Sequence, residues 1–414
     1  MSGRREQQLI NEVRTLRCNL IRSRGNMIDE KQRRRVDYLI SSIKSPSFSR
    51  IVESFEKVKN FRNTSEAIPV ATNHCLRKEI ELLKDVKIML NSNNIKKKVN
   101  VLAIDGGGSR GLIALKILQA IERYTKKSIV DIFDVVYGVS TGAIIIALLF
   151  TMNLTIDDVI DKYQILNKQI WQRNSFVGFY SLLQKSAYYN SEFLFHHVNE
   201  IFQHNYMVNT QSHNHTRIGV VSIKCKNNIT KPYIFRNWVA QNSNFGPYDG
   251  SNLEKWIDAI KSTTAAPIIY EPHEINGCEY IDGGIFANNP SFIAYKEMQH
   301  FFPNYRIQNF LSVGTGKFDP LMKEDSFRAI EKHRPHFQKM IERIIQCATN
   351  VENVHQFMDR LLPPKTYFRL NPRIPYQFSL NESRSESLMK MMAKSDDYIE
   401  ENVALFEKIG KCLK

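Results

Sequence analysis

VNVLAIDGGGSRGLIALKILQAI, residues 99–121, and DVVYGVSTGAIIIALLFT, residues 134–151, share one plan. Each is an apolar run of strand character that ends in a glycine-bearing turn and passes directly into an apolar helix. Units of this kind build a parallel sheet covered by helices on both faces. The first turn, Asp105 to Gly111, offers bare backbone amides at a helix start, where convergent N–H groups and the helix dipole favour negative charge. The second sets Ser140 in Gly138-Val139-Ser140-Thr141-Gly142, the G-x-S-x-G spacing of a nucleophile elbow. An anion hole beside a nucleophile suggests acyl transfer.

Taken alone, the glycine loop leaves the identity of the anion open. Gly106, Gly108 and Gly111 satisfy G-x-G-x-x-G, and Asp131 follows about 20 residues later, as in a dinucleotide site. Asp-Gly-Gly-Gly also occurs in phosphate loops of the sugar-kinase and actin type. The Gly-Lys-Ser/Thr ending of a P-loop is missing. Three consecutive glycines nevertheless exceed what a tight turn needs for packing alone. For Ser140 the context is fuller, because DVVY precedes it as a strand and AIIIALLF follows it as a helix. A plain helix-capping serine would look the same and is compatible with that reading.

A serine hydroxyl needs a general base within hydrogen-bond reach. In the order Ser, Asp, His, the candidates are His300, His333, His336 and His355, none of them in a glycine-rich context. The alternative is Asp282 in Tyr280-Ile281-Asp282-Gly283-Gly284, at a strand end where two glycines permit close approach. An aspartate can deprotonate serine when it is partly desolvated and the oxyanion is stabilised in the same step.

Composition narrows the class. The chain of 414 residues is 43% hydrophobic and 24% charged, enough for one large globular domain with an appendage. Its six cysteines are scattered without a C-x-x-C pair, which argues against zinc and against a disulfide framework and for an intracellular setting. Residues 1–98 carry 22 Lys and Arg against 11 Asp and Glu, so +11 of the total +15 lies there. Such a segment suits anionic lipid, nucleic acid or simply solvent. No secretory signal is visible in the first residues, and the acids Glu6 and Glu12 weaken a mitochondrial presequence while leaving that address open. The longest apolar run, Ala143 to Met152, is too short to span a bilayer and reads as a helix buried behind the serine turn.

Along the chain, residues 1 to about 95 have helical spacing, and the polar stretch Asn91 to Lys98 marks the expected domain boundary. Strands are expected at Val99–Ile104, Val135–Val139, Arg217–Ile223, Tyr233–Trp238, Glu279–Ile281 and Asn309–Val313. Helices fit at Gly111–Tyr124, Thr141–Met152, Ile156–Gln169, Ser191–Phe202, Leu253–Ser262 and Pro290–Phe301. Two more, Phe327–Ala348 and Glu382–Leu413, flank an extended segment at Thr366–Leu370. The aromatic-rich stretch Ile170 to Phe202, with Trp171 and Phe179, is a candidate lipid-facing rim, although ordinary helix cores explain most of its rings. The histidines at 196, 197, 204, 213 and 215 show no metal-ligand spacing.

Three motifs in order, Asp105-Gly106-Gly107-Gly108-Ser109-Arg110-Gly111, Gly138-Val139-Ser140-Thr141-Gly142 and Asp282-Gly283-Gly284, resemble the patatin-like phospholipase family. Further stretches, among them Asn288-Asn289-Pro290, Ser312-Val313-Gly314-Thr315-Gly316 and Tyr367-Phe368-Arg369, resemble its gamma-type calcium-independent phospholipases A2. The resemblance covers residue 99 to the C-terminus, with Ser262-Thr263-Thr264 standing where the family usually has Ala-Ser-Ser. It implies a three-layer α/β/α domain with a mostly parallel sheet over residues 99–414, while the basic helical region at 1–98 before it rests on charge and spacing alone. It also implies Ser140 as nucleophile, Asp282 as its sole base, and the amides of Gly106, Gly107 and Gly108 as oxyanion hole. Arg110, Gly111, Gly138, Gly142 and Gly283 would be supporting motif residues. The expected substrate is membrane phospholipid, met peripherally at an anionic surface, with no calcium, no other metal or cofactor, and no nucleic acid.

Overall fold

The structure, a computed structural model, describes residues 97–152, 154–171, 205–208, 216–227, 229–238, 246–267, 269–319, 322, 351–375 and 378–414. The helical reading of residues 1–95, the helices expected at 191–202 and 327–348, and the aromatic rim fall outside the described side chains.

In chain order the elements are β1 (Lys97–Ile104), α1 (Gly111–Thr125), α2 (Ile129–Ile132), β2 (Val135–Val139), α3 (Thr141–Met152) and α4 (Ile156–Trp171). Then follow β3 (Arg217–Lys226), β4 (Ile229–Arg236), β5 (Asp249–Ser251), α5 (Trp256–Thr264), β6 (His273–Ile275) and β7 (Cys278–Asp282). The remainder comprises α6 (Gly284–Ala287), α7 (Ser291–Phe301), β8 (Tyr305–Val313), β9 (Lys317–Phe318), α8 (Val351–Leu361), β10 (Tyr367–Leu370), β11 (Arg373–Ile374), α9 (Ser385–Glu401) and α10 (Val403–Leu413).

Nine strands form one sheet in the order β10-β8-β1-β2-β3-β4-β5, with β7 on β3 and β6 on β7. Pairs β1–β2, β2–β3, β8–β10 and β4–β5 are parallel, whereas β3–β4, β3–β7 and β6–β7 are antiparallel. The sheet is therefore mixed, parallel from β1 through β2 to β3 and between β8 and β10, and reversing beyond β3. Alternation along the central strands shows both faces covered: Leu102, Ile104 and Val136 join one core cluster, and Val101, Ala103, Val135 and Tyr137 the other. The first cluster takes in side chains of α1, α3, α5, α9 and α10, and the second those of α7 and α8. Those are the three layers.

Helix α3 is apolar on every side and buried at Ala143, Ile145, Ile146, Ala147, Leu148 and Leu149, as expected of a helix wholly inside a domain. Strand β1 begins at Lys97, two residues before the expected Val99, with two exposed lysines ahead of its apolar run. One sequence expectation needs correction. The long C-terminal helix is two helices that meet at Asn402, whose φ of −117° and ψ of 27° lie outside the helical region.

Candidate active site

The site forms where two strand ends meet head-on along β3. Strand β2 runs parallel to β3 and its last residue, Val139, pairs with Val221. Strand β7 runs antiparallel to β3 and its last residue, Asp282, pairs with the next position, Ser222. Ser140, the residue after β2, and Asp282 thus arrive at adjacent positions from opposite directions. The Ser140 hydroxyl stands close enough to the Asp282 carboxylate to favour its ionised form. Ser140 has a φ of +52°, the left-handed region that a side chain enters only at a cost of about 1–3 kcal/mol. That conformation turns the chain from strand to helix and stands the hydroxyl clear of the backbone.

Asp282 is 7% exposed. Burial pushes its carboxyl up to about 6, against the opposing pull of the hydrogen bond from the Gly284 N–H and of the nearby Ser140 hydroxyl. Gly284 N–H donates to Asp282 Oδ1 at 2.7 Å, so the turn after β7 fixes the orientation of the carboxylate. A carboxylate of raised basicity beside a serine hydroxyl can accept the serine proton. Among the described residues the Ser140 side chain has no histidine partner. His300 lies edge-on to Phe301 and His355 stacks on Tyr367, while His333 and His336 fall outside the described residues.

The glycine loop lies beside this pair with its carbonyls tied down. Gly106 O accepts from Thr315 Oγ1 at 2.9 Å and from Asn288 Nδ2 at 3.2 Å. Gly107 O accepts from the Arg110 N–H at 3.1 Å and from Arg110 Nε at 3.4 Å. Gly108 O accepts from Tyr163 Oη at 2.7 Å and Thr141 Oγ1 at 2.9 Å, and burial pushes the Tyr163 phenol up, which keeps it a donor. In a trans peptide the C=O and the following N–H point opposite ways. Holding the carbonyls of Gly106 and Gly107 therefore aims the amides of Gly107 and Gly108 to the other side, where they have no acceptor among the described residues. The Gly106 amide differs from the sequence expectation: it donates to Asn288 O at 3.2 Å. Its value is space instead, since a Cβ there would stand 2.5 Å from Asn288 Oδ1 and 3.2 Å from the Ser140 Cβ. Gly108, at φ +53° and against Leu380 O, admits no side chain.

The patatin-like phospholipase family model matches residues 102–295, which include the glycine loop, Ser140 and Asp282. The chain carries a patatin-like phospholipase domain. Over 317 residues, 76% of the chain, it is 31% identical to the calcium-independent phospholipase A2-gamma of Oryctolagus cuniculus. Over 318 residues it is 30% identical to the protein of the same name from Homo sapiens, and over 369 residues 24% identical to phospholipase A I of Arabidopsis thaliana. The chain spans 40% of the length of the first two and 28% of the third.

The other motif residues of the patatin-like domain act in packing. A Cβ on Gly142 would stand 2.9 Å from Asp105 O and closer still to Ile104 O, so this glycine lets α3 press on the end of β1. Gly138 makes room in the same way for Ala143 N, and Gly283 lets β7 cross over Val221. Gly111 faces Thr141 and Tyr163, and Arg110 closes the short 3-10 turn at Gly108–Arg110. Several supporting residues stood in the sequence only within family-like stretches, with no role assigned. Arg369 on β10 forms a buried bidentate pair with Asp105, at 2.8 Å and 2.6 Å, and also donates to Ser312 Oγ at 2.8 Å. Burial pushes the Asp105 carboxyl up and the Arg369 guanidinium opposes it. The available signal was an arginine in the otherwise apolar run Tyr-Phe-Arg-Leu. Asn288 and Thr315, which grip the loop, carried no signal beyond membership of the family-like stretches Asn288-Asn289-Pro290 and Ser312–Gly316. Among the described residues no group of three or more His, Cys, Asp and Glu is arranged to hold a metal ion.

Proposed function

We propose that the domain is a calcium-independent phospholipase A2-type lipid acyl hydrolase working through a Ser140–Asp282 dyad, with residues 99–414 catalytic and residues 1–98 a basic appendage. The observation that carries this reading is the meeting on β3 of Ser140 with a buried carboxylate whose pKa is raised to about 6. Ser140 Oγ attacks the ester carbonyl of a membrane glycerophospholipid while its proton passes to Asp282. The amides of Gly107 and Gly108 receive the oxyanion, and Gly106 leaves room for the tetrahedral carbon beside the serine. Collapse of the intermediate expels the lysophospholipid oxygen, which takes the proton back from Asp282. Water then attacks the acyl-enzyme, gives its proton to Asp282, and the fatty acid leaves as Ser140 is reprotonated.

The relatives named calcium-independent phospholipase A2 support the substrate class. The chemistry needs only groups of the chain itself. No helix among the described residues is long and apolar enough to cross a membrane, which suits peripheral access to the lipid. The excess of +11 in residues 1–98 would add attraction to an anionic surface. A nucleotide at the glycine loop is the weaker reading, because it leaves the serine elbow and Asp282 without a task.

Mass spectrometry of products from a phospholipid with two distinguishable acyl chains, with chelator present, tests the proposal. Fatty acid release is expected in the wild type and after replacement of His300 and His355, with loss of at least about 1,000-fold in Ser140→Ala and Asp282→Asn. Full activity in either dyad variant would sink the mechanism.

A further inference from the structure

The carboxyl end of α5 touches both halves of the dyad through one three-residue segment. Thr263 is fully buried, and its hydroxyl accepts the Ser140 N–H at 2.8 Å while donating to Val221 O at 2.5 Å. Two residues on, Ala265 O accepts the Asp282 N–H at 2.9 Å. Val221 is the β3 residue that pairs with Val139, immediately before Ser140. The three bonds therefore close a bracket around the point where β2 and β7 meet. A hydroxyl can donate and accept at once, which is what this position demands and what no apolar side chain of the same shape supplies.

We infer that Thr263 is a positioning residue of the dyad: its hydroxyl pins the strained Ser140 backbone to β3 at the place where the following turn fixes Asp282. The inference rests on the dyad reading given above. Ser140 occupies a left-handed conformation that persists only where its surroundings over-determine it. Its N–H cannot serve the oxyanion, being held by Thr263, so the contribution of the hydroxyl is geometric. Without it the amide is left buried and unpaired, and the Ser140 side chain loses the fixed approach to Asp282 on which proton transfer depends.

The experiment compares Thr263→Ser, Thr263→Ala and Thr263→Val in the full chain, with Ser140→Ala as control, on a short-chain monomeric phosphatidylcholine. Serine and alanine lose the same methyl group and differ by the hydroxyl alone, so this pair decides the outcome even where valine does not fold. Thr263→Ser is expected to keep kcat within about threefold of wild type. Thr263→Ala is expected to lower kcat about 10- to 100-fold with KM unchanged, since a displacement near 1 Å costs about that much. Equal kcat in the serine and alanine variants, or a loss confined to KM, would overturn the inference while leaving the dyad intact. Wild-type activity in Ser140→Ala would instead overturn the reading beneath it, and the inference with it.

Discussion

At the scale of single residues, the decisive quantity is the free energy of a charge on Asp282. Its carboxyl rises from 3.8 to about 6 because burial disfavours the ionised form. The folded state therefore holds a proton that the unfolded chain releases, and the sign of the linkage follows. Stability from this group is fully present below 3.8 and is lost as pH rises through about 6. Asp282→Asn keeps the acceptor for Gly284 N–H and removes the ionisation. At pH 8 it should be more stable than wild type by up to about 3 kcal/mol, a gain that vanishes below pH 4, measured by urea unfolding across pH. Activity should move the opposite way in the wild type, falling about tenfold per pH unit below about 6 as the base becomes protonated. A residue that costs stability in the form that is needed for chemistry is what an active site is expected to contain.

At the scale of elements, the glycine loop is held from beneath by β10. The Asp105–Arg369 pair is 2% and 4% exposed, so removing one partner strands a buried charge. Arg369→Ala should cost about 3–5 kcal/mol by urea unfolding, and the variant that remains folded should lose activity because the loop carbonyls and amides shift together. Arg369→Lys should restore little, since an ammonium cannot form the two parallel bonds. These supports also explain what the sequence could and could not reveal. Strand β2 and helix α3 were legible to the residue, because an all-apolar strand, a glycine turn and an all-apolar helix admit one reading. Strand β4 was misplaced, expected at 233–238 and found at Ile229–Arg236, since its first half is the exposed Ile-Thr-Lys-Pro of a hairpin. The short strands β5 and β6 offered no run long enough to notice. Ser140, Asp282 and the glycines were visible because each sits in a local pattern. Arg369, Thr263, Thr315 and Asn288 act across more than a hundred residues of chain on Asp105, Ser140 and Gly106, and contacts of that span leave no local mark.

At the scale of the whole molecule, the sheet organises the chain around one long strand. Strand β3 pairs with β2 over Arg217–Val221 and with β7 over Ser222–Cys225 on the same edge, while β4 runs along the other. Both cores pack against this arrangement, so the meeting of Ser140 with Asp282 is a property of strand register. A register slip of one residue turns a side chain to the opposite face. One residue inserted after Tyr280 should therefore leave a folded domain with no measurable hydrolysis. The same insertion at Gly277, in the β6–β7 turn where an added Cβ would meet nothing within 4 Å, should keep activity near wild type. Circular dichroism and fatty acid release distinguish the two. The head-on meeting on β3 makes the path between Ser140 and Asp282 exchangeable in length: descendants of this gene can gain or shed surface segments there freely, provided β3 keeps its count.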